Sequence, residues 1–126
     1  MDNELLMQME EIQGKAAGYD EQMKIVDQQL SELENFRKNI EDIENNSSKE
    51  ILASVGKGVF MPAEITDRNL FVEVGAGIFV KKTLEETKKV AEEQLIKLGE
   101  MRMYLGSEIN SVNLDMQELI KKFKSE

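Results

Sequence analysis

The chain has 126 residues, enough for one domain, but a third are charged and only 6% aromatic, with no tryptophan and one proline, which excludes a large buried core. The formal charge of -9 gathers in the first 50 residues, which hold 13 of the 25 acidic side chains and 5 of the 16 basic ones; such a surface repels phosphate backbones and anionic lipid, so neither nucleic acid nor a membrane is an expected partner. Without cysteine or histidine, the chain lacks disulfides, the usual zinc ligands and the commonest general base, and neither a metal nor a cofactor is expected.

The first residues, Met1-Asp2-Asn3-Glu4, are acidic and lack the basic start and continuous apolar stretch of a signal peptide, and no run approaches membrane-spanning length. The expectation is a soluble, intracellular protein. From Leu5, apolar residues recur at steps of four and three: Leu5, Met9, Ile12, Ala16, Tyr19, Met23, Val26, Leu30, Leu33 and Ile40, with Arg37 as an exception. This heptad seam predicts a helix over residues 3–44. It stops in Asn45-Asn46-Ser47-Ser48, whose side chains compete for nearby backbone groups and favour turns.

Residues 50–82 change period from helical to two. The runs 51–55, 59–65, 70–74 and 78–82 are rich in β-branched and aromatic residues and read as two β-hairpins with three-residue, glycine-containing turns. Asp67-Arg68-Asn69 turns the chain between them, and Pro62, which cannot donate to a ladder, marks an edge. Val55-Gly56-Lys57-Gly58-Val59-Phe60-Met61 lines up with Val74-Gly75-Ala76-Gly77-Ile78-Phe79-Val80, a small internal duplication. Isolated hairpins with this many apolar side chains are marginal and their edges recruit other strands, so the β module is the expected oligomerisation site.

Thr83 and Glu86 form a capping box, which predicts that a second helix occupies residues 83–124. Its seam runs Leu84, Lys88, Ala91, Leu95, Leu98, Arg102, Leu105, Ile109, Val112, Met116, Leu119 and Phe123; Lys121, Lys122 and Lys124 suit the negative end of the helix dipole. The two seams are of nearly equal length. Folding them back on each other pairs Leu5 with Phe123, Met9 with Leu119 and Tyr19 with Ile109, so that each pair of numbers sums to 128, although a shift by one heptad matches as well. Each arm would then be about 60 Å long. The predicted fold class is α+β: a long antiparallel two-helix coiled coil with two β-hairpins inserted, all in one domain spanning 1–126.

The two G-x-G elements lack both the third glycine of a dinucleotide fingerprint and a Walker lysine, and read as hairpin turns. The carboxylates lack calcium-loop spacing and read as a solvated helix face; no catalytic set converges. Gly14, Gly18, Gly99 and Gly106 lie inside the helices but outside the seam, either softening the arms or merely tolerated. The paired helix ends carry more apolar residues than the seam needs: Leu6 and Met7 beside Leu5 and Met9, and Ile120 beside Leu119 and Phe123. Two readings stand: frayed ends with incidental hydrophobes, or an adaptable adhesive tip.

The order helix, two hairpins containing V-G-x-G-[VI]-F, helix, above all Leu70 to Lys82 running straight into the second helix, together with Gly56-Lys57-Gly58-Val59-Phe60, resembles the archaeal alpha-type subunit of prefoldin over nearly the whole chain. The beta-type subunit has one hairpin where this chain has two. The resemblance implies a non-enzymatic, cytoplasmic, ATP-independent chaperone: a hetero-hexamer of two alpha and four beta subunits, joined by intersubunit β-barrels of hairpins. Its coiled-coil tips hold unfolded client proteins and deliver them to a group II chaperonin. Carried over, the client-binding tips are Leu5, Leu6, Met7, Met9, Ile12, Met116, Leu119, Ile120 and Phe123. The oligomerisation hairpins contribute Ile51, Val55, Val59, Phe60, Leu70, Phe71, Val72, Val74, Ile78, Phe79 and Val80, turning at Gly56, Gly58, Gly75 and Gly77. The competing expectation is a scaffold or adaptor of the same build that binds one specific partner.

Overall fold

The computed structural model describes residues 3–125. Helix α1 spans Asn3–Asn45, strands β1 (Glu50–Gly56) and β2 (Val59–Glu64) form one hairpin, β3 (Leu70–Gly75) and β4 (Ile78–Lys82) a second, and helix α2 spans Leu84–Ser125. The chain divides into two compact units: a terminal unit of Met1–Glu32 with Leu95–Glu126, and a central unit of Leu33–Gln94.

In the terminal unit the heptad positions turn away from solvent. Leu5, Val26, Leu105, Val112 and Leu119 are buried, and Met9, Ile12, Ala16, Tyr19, Met23, Leu30, Leu95, Leu98, Ile109 and Met116 are half-buried. Two contacts mark the antiparallel register. The Tyr19 hydroxyl donates to Glu108 Oε2 at 3.1 Å, and Arg102 Nε donates to Asp27 Oδ1 at 2.7 Å. The partners' numbers add to 127 and 129, either side of 128, whereas a shift by one heptad would move the sum by seven. The Glu108 carboxylate beside Tyr19 also raises the phenol above its ordinary pKa, because it accepts a hydrogen bond from the neutral hydroxyl and would repel a phenolate.

Arg102 is thereby explained as a seam exception: it is exposed and reaches across to the other helix instead of packing beneath it. Phe123, at the last seam position, is also exposed. A Cβ on Gly106 would meet the Met23 methyl at 4.0 Å, an ordinary contact, so this glycine lies against the opposite helix although it stands outside the heptad positions.

In the central unit Ile40 and Ala91 are buried, and the basic seam residues find carboxylates. Arg37 bonds Glu34 at 2.8 Å and Glu41 at 3.3 Å along its own helix, and Lys88 lies 3.7 Å from Glu44. The hydrogen bond to Glu34, with the carboxylate charges around it, holds the Arg37 guanidinium above its usual pKa. Thr83 caps α2, its hydroxyl oxygen accepting the Glu86 N–H at 3.0 Å.

Both hairpins are antiparallel and remain separate two-stranded sheets, so every strand has an open edge, including the one that carries Pro62. Their turns are shorter than the three residues expected. Gly56 pairs with Val59 and Gly75 with Ile78, leaving two-residue loops, Lys57-Gly58 and Ala76-Gly77. All four loop residues have positive φ, the signature of a type I′ turn, which matches the twist of the flanking strands. Gly56 and Gly75 are drawn into the ladders after a bulge, with φ of 105° and 123°. The duplication seen in the sequence is therefore a duplication of backbone: bulge, turn and positive-φ residues recur nineteen positions apart.

Candidate functional site

Among the described residues, exposed apolar side chains form the most extensive candidate surface. Among the described residues no set of three or more His, Cys, Asp or Glu is arranged to hold a metal ion, and no helix is long and apolar enough to cross a membrane.

The hairpins present the larger surface. A two-stranded ladder sends alternate side chains to opposite faces and, unless another layer covers one, leaves both to solvent. Ile51, Val55, Val59, Phe60, Phe71, Val72, Val74, Ile78 and Phe79 are all exposed, with Phe71 at 63%, while Leu70 and Val80 are half-buried. Leu52 and Met61 belong to the same surface, exposed at 67% and 61%. They were not singled out from the sequence, although a period of two applied to both faces of each strand would have found them. Gly56, Gly58, Gly75 and Gly77 hold the turns.

On the second hairpin Leu70, Val72, Val80 and Lys82 share one face, and Phe71, Glu73, Phe79 and Lys81 the other. Val72 and Lys82 help line an apolar groove of about 260 Å³ with Leu33, Phe36, Val90 and Ala91. On the opposite face Lys81 Nζ lies 5.9 Å above the Phe71 ring and 2.8 Å from Asp67 Oδ2. That ion pair, with the Asn69 backbone N–H donating to the same carboxyl group, holds Asp67 below the usual carboxylate pKa.

The helix ends of the terminal unit form the second surface. Of the nine residues expected at the tips, Leu5 and Leu119 are buried at 7% and 5%, and Met9, Ile12 and Met116 are half-buried, because all five occupy heptad positions. Leu6, Met7, Ile120 and Phe123 are exposed, Met7 at 70%. The available surface is thus the flank of the seam together with its last position, Phe123, and the buried leucines hold that surface in place. Further apolar residues of this unit lie open away from the ends, among them Ile96, Met103 and Tyr104. Ile96 and Met103 stand one heptad apart but directly after the seam positions Leu95 and Arg102, off the buried seam, which is why the seam pattern passes over them.

The model of the Prefoldin subunit family matches residues 6–125. A prefoldin subunit alpha of Methanobrevibacter smithii is 25% identical over 125 residues, covering 93% of this chain and 86% of the relative. One from Methanosphaera stadtmanae is 22% identical over 89 residues, covering 71% and 64%, and one from Picrophilus torridus 31% identical over 71 residues, covering 56% and 51%. The match thus spans just under two thirds and about half of the length of these last two relatives. Among solved structures, a filamentous PFD from Methanocaldococcus jannaschii, determined by cryo-electron microscopy, superposes with a TM-score of 0.73 at 20% identity, covering 96% of this chain and 99% of that one.

Proposed function

This chain belongs to the prefoldin family, as an alpha-type subunit, and on that premise we propose that it acts as an ATP-independent holdase subunit in the cytoplasm, folded as one domain. Its hairpins join beta-type subunits in a hexamer of two alpha and four beta chains through intersubunit β-barrels. Its helix ends hold non-native polypeptides for delivery to a group II chaperonin. The observation that carries this reading is the placement of exposed apolar side chains: both faces of the hairpins, and Leu6, Met7, Ile120 and Phe123 at the helix ends.

The two surfaces suit different tasks. Strand edges bind by backbone hydrogen bonds and need a matching strand, which favours a permanent partner. Methionine and leucine on helix flanks adapt to varied apolar surfaces, and a net charge of -9 keeps an assembly that exposes them in solution. The test is the native mass of the chain with a beta-type subunit, measured by light scattering after size exclusion. A two-plus-four hexamer is expected; absence of a mixed complex contradicts the proposal.

A second reading is a scaffold of the same build that assembles with copies of itself and serves one specific partner. The superposition with a protein described as filamentous favours it. A single stoichiometric partner in a pull-down, with no suppression of aggregation, would select it.

A further inference from the structure

A two-helix coil buries one stripe of each helix, and the positions that face outward are ordinarily polar. On α2 that pattern breaks over one stretch of the terminal unit. Leu95, Leu98 and Leu105 keep to the seam, half-buried or buried, while Ile96, Met103 and Tyr104 stand off it with 63%, 77% and 59% of their surfaces exposed.

These three side chains surround one carboxylate. Ile96 precedes Glu100 by four positions, and Met103 and Tyr104 follow it by three and four, the separations that make side chains neighbours on a helix surface. Among the described residues Glu100 makes no ion pair and no side-chain hydrogen bond; Lys97, three positions before it, does not close on it. Carboxylates nearer the seam are engaged: Asp27 by Arg102 at 2.7 Å, and Glu108 by the Tyr19 hydroxyl at 3.1 Å. Glu100 is therefore an exposed, unpaired anion set in an apolar frame.

We propose that this face of α2 docks a segment of another protein that presents one arginine framed by apolar side chains. Under such a segment the frame excludes water, and the ion pair inside it strengthens as the local dielectric falls. A guanidinium suits both of its neighbours: the planar fork matches the Glu100 carboxylate, and the flat face stacks on the Tyr104 ring. Ile96 and Met103 supply apolar contact, and the unbranched methionine adapts its shape to what covers it. Selectivity follows from the same arrangement, since a segment with a neutral or acidic residue at its centre leaves Glu100 covered and unpaired. The face includes neither a hairpin nor a helix end, so the inference goes beyond the proposed function and is tested separately from it.

Fluorescence anisotropy of two labelled amphipathic helical peptides, titrated with the full chain, provides the test. The peptides share one apolar face and differ only at its centre, arginine in one and glutamate in the other. The wild type is expected to bind the arginine peptide about tenfold more tightly. Glu100→Gln is expected to lose the distinction and Glu100→Lys to reverse it. M103S/Y104S is expected to weaken binding of the arginine peptide by a similar factor. All of these positions are exposed, so helical content by circular dichroism should match the wild type. L6S/M7S/I120S/F123S is expected to keep the wild-type preference, which separates this face from the helix ends. Equal binding of both peptides by the wild type, an order unchanged in Glu100→Lys, or a preference lost in the helix-end variant would each overturn the inference. So would a native mass that falls in Glu100→Lys with peptide binding unchanged, which would assign the face to a second copy of the chain.

Discussion

Arg68, in the turn between the two hairpins, donates from Nη1 to the backbone carbonyl of Ile43 at 2.9 Å and from Nη2 to that of Ser48 at 3.3 Å. Ile43 lies in the last turn of α1, where carbonyls have no partner within the helix, and that turn contains no basic residue of its own. One side chain from the β module thus supplies the charge the helix end lacks, and fixes the loop that follows. Arg68→Ala is expected to cost about 1 to 2 kcal/mol, read as a lower urea midpoint, with Arg68→Lys intermediate because lysine lacks the planar fork. An unchanged midpoint in Arg68→Ala would remove the cap from the account.

Neighbouring residues at the helix end carry opposite roles. Leu119→Ala empties a buried position and is expected to cost about 2 to 4 kcal/mol, whereas Ile120→Ala, on the exposed flank, stays within about 1 kcal/mol. Chemical denaturation of the two variants checks the division directly. Equal losses would mean that the flank is structural and not a binding surface.

Glycines separate by backbone angle. Gly14, Gly18 and Gly99 have open space where a Cβ would project, so alanine at each is expected to raise stability by about 1 kcal/mol and to raise helical content. Gly58 and Gly77 have equally open surroundings but φ of 76° and 73°, and alanine there is expected to cost about 1 to 2 kcal/mol. Circular dichroism melts of both sets should therefore shift in opposite directions.

The architecture was legible in the sequence because its determinants are local. A four-three repeat defines the helices, and an alternation broken by V-G-x-G defines the hairpins. The apolar residues match themselves after every heptad and so do not single out one register; the register shows in Tyr19 with Glu108 and Asp27 with Arg102, pairs that no periodicity reveals. The turn length was misread because Gly56 and Gly75 belong to bulged ladders and not to the loops. Arg68 left no sequence signal, since it reaches a carbonyl twenty-five residues away. At the helix ends, composition located the apolar surface, but only heptad position separates the buried Leu5 and Leu119 from the exposed Leu6 and Ile120.

Asp67 provides a pH signature. Its folded pKa lies below the ordinary value, so its pairing with Lys81 stabilises the fold fully above the unfolded aspartate pKa, about 3.9, and that contribution is lost as pH falls toward the folded value. Asp67→Asn is expected to lower stability at neutral pH and to flatten its fall below about pH 4. Denaturation midpoints of both proteins between neutral pH and pH 3 would show the curves converging; parallel curves would mean the pair is not linked to folding.

The most direct test of the central claim is light scattering during dilution of a denatured protein into buffer without nucleotide, in the presence of the chain assembled with a beta-type subunit. The wild-type assembly should suppress the rise in scattering, and Leu6, Met7, Ile120 and Phe123 replaced together by serine should suppress it less while leaving native mass and helical content unchanged. Full suppression by that variant, or none by the wild type, would contradict capture of non-native chains at the helix ends.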